Sequence, residues 1–543
     1  MRLRGSPAWR WTALLTLGLL AFEPWPSLAA SGAYDDATIV HVLNRLAYGP
    51  RPGDVDRVRQ IGLVRWIDQQ LEPPRLPDPA MGARLAALKT VGLSSHELLK
   101  GYELPPAARR ELARRRGEME NDREGEKRDA RRAFMQKYAG QMEGSPRQVL
   151  AELQEAKVLR AVYGERQLDE VLVDFWLNHF NVFAQKGPEK FLLGEFERQV
   201  LRPHAWGKFE DLLLATAESP AMLFYLDNWL SADPTAKPPR PRMRRRPEGA
   251  GQGQKRGLNE NYAREIMELH TLGVDGGYTQ RDVTEVARCF TGWTIKGLRE
   301  ERPEFHFEPR LHDPGDKVVL GQTIKGGGQD EGRKVIHLLA SHPRTARFVS
   351  TKLVRKLVAD DPPAGLVDRA TEAFRKTDGD IREVVRTIVT GPEFVGPDYR
   401  NVKIKTPLEF VVSAVRASGA SVADAAALAQ RVGVMGMPLY MQQPPTGYKD
   451  TAEAWVSTSG LLARLNFALD LAGGRVQGVS VDPSKLAPGA ADGPALATAL
   501  ATRLVPQGLS ASTRKTIEGE AGSGMNPARI AGLLLGSPEF QRR

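Results

Sequence analysis

The sequence predicts a mainly α-helical protein: one large helical domain with a small β-hairpin and helical or disordered insertions. Three observations predict it. Apolar residues recur three and four apart through most of the chain, the spacing of one helical face. Strand-like alternation is confined to Arg302–Thr323, where Phe305 and Phe307 flank His306 before the short apolar run Val318-Val319-Leu320, enough for one hairpin. The one cysteine among 543 residues is Cys289, so the fold cannot rest on disulfides and no zinc site can be built on cysteine pairs.

The elements follow in order. Arg2, Arg4 and Arg10 precede the apolar run Thr12–Phe22, which is too short to span a bilayer, and Ser27-Leu28-Ala29 supplies small residues for cleavage. Residues 1–30 are therefore expected to be a secretory signal peptide, with an uncleaved N-terminal anchor as the alternative. Export is expected to place the mature chain, residues 31–543, in the periplasm or outside the cell with no transmembrane anchor. Ile39, Val40, Leu43 and Leu46 define a first helix that stops at Tyr48-Gly49-Pro50. A second is expected from Gly53-Asp54 through Trp66 and Ile67 to Pro73. Residues 104–147 are rich in Arg and Glu and poor in apolar anchors, so they read as an exposed helical arm. Leu168, Val171, Leu172 and Phe175 mark the clearest amphipathic helix, over 165–183. Residues 232–257, centred on Pro238-Pro239-Arg240-Pro241-Arg242, cannot bury enough apolar surface and are expected to form a mobile loop.

Helices then resume at Asn259–Leu272 and from Thr279, whose pairing with Asp282 resembles a capping box, to about Phe290. Further helices are expected over Glu331–Leu339, Arg344–Val358, Pro363–Lys376, Ile381–Val389 with Asp380 as cap, Lys405–Ala417, Ser421–Val432 and Ser457–Leu471. Pro392-Glu393-Phe394 and Pro538-Glu539-Phe540 each follow an apolar helix, which suggests a shared helix-ending device.

Four groups of residues have side chains suited to chemistry. Arg264, Glu265 and Glu268 share one face of a regular helix, where two carboxylates a turn apart beside a guanidinium would serve as acid and base or bind a cation. The same pattern also describes an ion-paired surface helix. His179 lies on the apolar stripe of its helix, as a buried core histidine or as a haem or metal ligand. His306, His312 and Asp313 crowd together with further acids, suiting either a divalent metal ion or a polar hairpin. Tyr440, Tyr448 and Trp455 lie in a proline-rich irregular segment, read either as a binding surface for sugar rings or a peptide, or as a packed lid. Nucleotide-binding and nucleophile-elbow motifs are absent.

Lys and Arg number 76 against 66 Asp and Glu, a formal +10. Losing the leader, with three arginines and Glu23, leaves about +8. In an exported protein that balance points to acidic envelope polymers or lipid headgroups rather than nucleic acid, or simply to a solvated basic surface.

Several strings resemble a bacterial family catalogued as domain of unknown function 1800. They are His41-Val42-Leu43-Asn44-Arg45 with Gly49; Asp174-Phe175-Trp176 with Asn178-His179-Phe180; and Asn259-Glu260-Asn261-Tyr262-Ala263-Arg264-Glu265 through Glu268-Leu269-His270 to Gly292-Trp293-Thr294. His312-Asp313, Lys405-Thr406-Pro407-Leu408-Glu409-Phe410 and Gly536-Ser537-Pro538-Glu539-Phe540 complete the set. The resemblance covers about residues 35–543. It implies a secreted, mostly helical protein, often encoded beside an exported partner similar to sulfatases and alkaline phosphatases, and it supplies no catalytic residues. The functional expectation is an envelope or extracellular protein acting on an acidic polysaccharide, as a hydrolase-like enzyme with a partner. A non-catalytic binding or scaffold subunit and a haem or metal redox protein are the alternatives.

Overall fold

A computed structural model describes residues 34–118, 132–134, 136–236, 257–298, 302–482, 487, 493–522 and 526–543. The leader, most of the arginine-rich loop and the centre of the charged arm lie outside the described residues.

Helices dominate, and their ends follow local chemistry. Asp35 Oδ1 accepts from the amide of Thr38 at 2.8 Å and opens the helix Asp36–Leu46. Thr279 and Asp282 form the expected capping box for Gln280–Cys289, and Asp380 caps Ile381–Val389. Thr406 and Glu409 form a further box opening Pro407–Ala417. The continuous second helix of the sequence reading is two, Asp54–Ile61 and Leu63–Leu71. Gly62, at φ +90°, breaks it in a conformation that an L side chain rarely adopts.

The β structure is richer than one hairpin. Trp293–Lys296 pairs antiparallel with Glu304–Phe307, and Lys317–Val319 pairs with Gln322–Ile324. Thus the two expected strands belong to different hairpins. Leu320 and Gly321, both at positive φ, close the second in two residues, and Asp282 Oδ1 accepts from the Leu320 amide at 2.7 Å. A two-residue pairing of Ser421–Val422 with Val479–Ser480 replaces the start of the helix expected from Ser421, which begins only at Ala426.

One hydrophobic cluster runs from Ile39 to Phe540. The charged arm has more apolar anchorage than its sequence suggests: Ala108, Phe134 and Tyr138 form a small core of their own, and the Tyr138 hydroxyl donates to Glu111 at 2.7 Å. The echoed Pro-Glu-Phe strings both bury their phenylalanine. The Phe394 carbonyl accepts from His41 Nε2 at 2.7 Å, while the Phe540 ring lies 3.9 Å from the Lys405 ammonium. Two helices position the site that follows. Gln167–His179 is buried on nearly every side. Pro343–Leu357 carries Phe348, Lys352 and Lys356 at successive i,i+4 positions on one face.

Candidate functional site

His179 is buried at 2% exposure at the end of its helix, with its ring stacked on Phe175 at 17° between planes. Nε2 lies 3.1 Å from the carbonyl oxygen of His270, and Nδ1 lies 2.8 Å from Lys352 Nζ. A carbonyl only accepts, so Nε2 carries the proton and donates to it. Nδ1 then accepts from Lys352. Burial, with Lys352 and His270 nearby, holds the His179 imidazole well below the usual histidine range and keeps it neutral. With both nitrogens engaged, the ring has no lone pair left for a haem iron or a metal.

His270 reaches this point through a local irregularity. The helix Glu260–Glu265 continues as a π turn, Ile266–Thr271, where the Leu272 amide donates to the Met267 carbonyl at 2.8 Å. The wider turn slips the phase that a regular helix would set, and His270 is packed against Phe180 with ring centroids 5.0 Å apart. Burial pushes the His270 imidazole down to about 3.

Lys352 and His179 open onto a cleft of about 390 Å³, which Asp174, Asn178, Arg355, Tyr448 and Trp455 also line. Its carboxylates are all paired. Asp174 lies 2.7 Å from Lys157 and 3.7 Å from Lys356; Asp450 lies 3.7 Å from Lys403, and Glu453 3.5 Å from Lys449. Arg355 donates only through Nε, to the Asp360 carbonyl at 3.1 Å. Among the described residues, neither Lys352 nor Arg355 forms an ion pair with a carboxylate. The cleft therefore holds two basic groups that no carboxylate pairs directly.

The outer wall is the irregular segment that sequence reading offered as a binding surface or a lid. Structurally it is a latched strap. Asn178 Nδ2 donates to the Tyr448 carbonyl at 2.8 Å, and its Oδ1 accepts from the Tyr448 amide at 2.7 Å. Asn181 Nδ2 donates to the carbonyls of Gln442 and Pro444, both at 2.9 Å, and the Tyr225 hydroxyl donates to that of Gln443 at 2.6 Å. Of the three aromatics proposed as a surface, Tyr448 and Trp455 line the cleft, with ring centroids 6.0 Å apart. The Trp455 indole N–H is buried without an acceptor. Tyr440 is not part of that surface: at φ +61° it turns inward, and its hydroxyl donates to Glu197 at 2.6 Å.

A family model described as protein of unknown function (DUF1800) matches residues 41–542. The chain belongs to the DUF1800 family. No curated protein and no solved structure matches it.

The remaining candidates of this DUF1800 chain stand elsewhere. Glu265 and Glu268 interact, and burial followed by the charge of Glu268 pushes the Glu265 carboxyl up to about 6 against the pull of Arg264. Neither lines the cleft. Glu268 accepts from the Tyr278 hydroxyl at 3.2 Å, and Arg264 donates to Gln280 at 2.7 Å, 4.0 Å from Glu260. His306 is exposed on its strand. His312 places Nδ1 2.9 Å from the Thr291 carbonyl and Nε2 2.9 Å from Glu331, while Asp313 takes a two-pronged grip from Arg288 at 2.7 and 3.1 Å. Among the described residues, no group of three or more His, Cys, Asp or Glu side chains is placed to hold a metal ion.

Glu331 also accepts from Lys317 Nζ at 2.5 Å, with Lys317 at 0% exposure. Glu331→Ala is expected to destabilise the fold by about 3–5 kcal/mol, because it removes the nearer carboxylate from a buried ammonium and leaves only Asp313 at 3.8 Å. Denaturant unfolding that shows under about 1 kcal/mol would refute that role.

Sequence reasoning missed Lys352, Arg355 and Asn178. A lysine and an arginine on a charged helix read as solvated, and only the i,i+4 row from Phe348 to Lys356 hinted at a common face.

Proposed function

We propose that this protein is exported and binds an acidic polysaccharide of the envelope or extracellular space in the Lys352 cleft. The observation that carries the reading is the pair of basic groups that no carboxylate pairs directly, Lys352 and Arg355, beside the rings of Tyr448 and Trp455. Aromatic faces cover the apolar C–H faces of a pyranose, while cations pair its acid group. In this reading the basic, apolar N-terminal stretch is the export signal. The sulfatase-like exported partner implied by the family resemblance would work on the same polymer.

Titration calorimetry with uronic-acid oligosaccharides, against neutral ones of equal length, tests the proposal. Acidic oligomers are expected to bind in a salt-sensitive way, and Arg355→Ala or Lys352→Met to weaken binding roughly 10- to 100-fold, the worth of one charged hydrogen bond. Equal affinity for neutral oligomers, or none for either, would overturn it.

A further inference from the structure

Few groups in the cleft are free to move a proton. Asp174, Asp450 and Glu453 are each held by a cation. His179 spends both nitrogens on Lys352 and the His270 carbonyl. The Tyr448 hydroxyl donates to the Pro438 carbonyl at 2.8 Å, and burial pushes it up to about 12. Lys352 remains. Its amine has one polar partner, His179 Nδ1, which can only accept from it. A neutral amine so placed spends one N–H on His179 and keeps a lone pair and a second N–H. Arg355, three residues along the same helix, has guanidinium N–H groups left to pair an anion.

We propose that Lys352 is the catalytic base for eliminative cleavage of a uronic-acid chain bound in this cleft. The inference rests on the acidic-polysaccharide reading above and deepens it. Arg355 pairs the sugar carboxylate, which makes the C5 proton beside it more acidic. The Lys352 amine takes that proton, and the C5–H electron pair becomes the C4–C5 double bond. The C4–O glycosidic bond breaks. The departing oxygen takes the proton back from the Lys352 ammonium, which restores the neutral amine. One fragment ends in an unsaturated uronate and the other in a hydroxyl, and no water is consumed. His179 acts as a positioning residue, orienting the amine through Nδ1. Burial, aided by Arg355 and opposed by Asp450, pushes the Lys352 ammonium down to about 8, so the neutral base is accessible near physiological pH.

The test incubates the full chain with polygalacturonate, polymannuronate, polyguluronate and hyaluronan oligomers. It follows the ultraviolet absorbance of the conjugated double bond and the fragment masses. The expected result is unsaturated fragments whose masses sum to that of the parent, formed faster as pH rises through about 8. Lys352→Met is expected to lose about 10²- to 10⁴-fold in rate. Its circular dichroism and unfolding midpoint establish that it folds, and rates are compared at oligomer concentrations that calorimetry shows to saturate each protein, so that its weaker binding does not count as lost catalysis. His179→Asn should move the pH profile, which a purely structural role would not do. Binding without unsaturated product, products heavier by a water, or full activity in a folded Lys352→Met protein would each overturn this inference and leave the binding proposal standing. Failure to bind any of the acidic oligomers would overturn both.

Discussion

Glu409→Ala is expected to cost about 3–5 kcal/mol of unfolding free energy. The carboxylate serves two purposes at once. Oε2 accepts from the Thr406 amide at 2.9 Å in the capping box, while Oε1 meets Lys356 at 2.9 Å and Arg543 at 3.0 Å. All three charged groups are buried. Removing the acid strips a buried Arg543 of its carboxylate and leaves Lys356 with only Asp174 at 3.7 Å, besides freeing a helix N-terminus. The pH dependence has a definite sign. Burial alone would raise the Glu409 carboxyl, but Arg543 and Lys356 overcome it and hold the group far below the usual carboxylate range. Its stabilisation is thus complete above the unfolded value near 4.5 and is lost as pH falls below it. Wild-type stability should fall on acidification by up to about 1.4 kcal/mol per pH unit more steeply than that of Glu409→Gln. Parallel slopes in denaturant titrations from pH 5 to 3 would sink the assignment.

Gly447→Ala is expected to unlatch the strap. Gly447 sits at φ +70°, and a Cβ there would lie 2.3 Å from the carbonyl oxygen of Asn178 and 2.7 Å from its Oδ1. The left-handed backbone alone costs a residue with a side chain about 1–2 kcal/mol. The clash adds to that, because Asn178 is held at both ends of its amide by Tyr448 and cannot step aside without breaking the latch. The expected result is rapid proteolytic cleavage between residues 438 and 456, a lower unfolding midpoint and loss of the saccharide binding proposed for the cleft. A variant as protease-resistant as the wild type would show that the strap does not depend on this contact.

Much of the helical framework was legible because its signals are short-range. Asp380 and the Thr279–Asp282 pair act on amides three residues away. Glycine conformation corrected the reading at Gly62, where the apolar pattern runs on through a break that only backbone geometry imposes. The hairpins were misjudged for a related reason. Alternation marked Glu304–Phe307 and Val318-Val319 as strands but does not say which strand each pairs with. In the site, two of the three strap aromatics were legible as cleft-facing groups. Tyr440 was not, since its partner Glu197 is 243 residues away in the chain.

By itself, the sequence determined the helical class of the protein, the starts of most of the helices it marked and the family to which it belongs, because caps and apolar spacing act within one or two turns. The tertiary structure alone decided where a function can reside. It brought Lys352 to His179 across 173 residues and Tyr448 to Asn178 across 270. It also matched every cleft carboxylate with a cation while leaving Lys352 and Arg355 with no carboxylate paired directly to them. A charge acquires its chemistry from the groups it meets and the water it loses, and both are set by packing between segments remote in sequence.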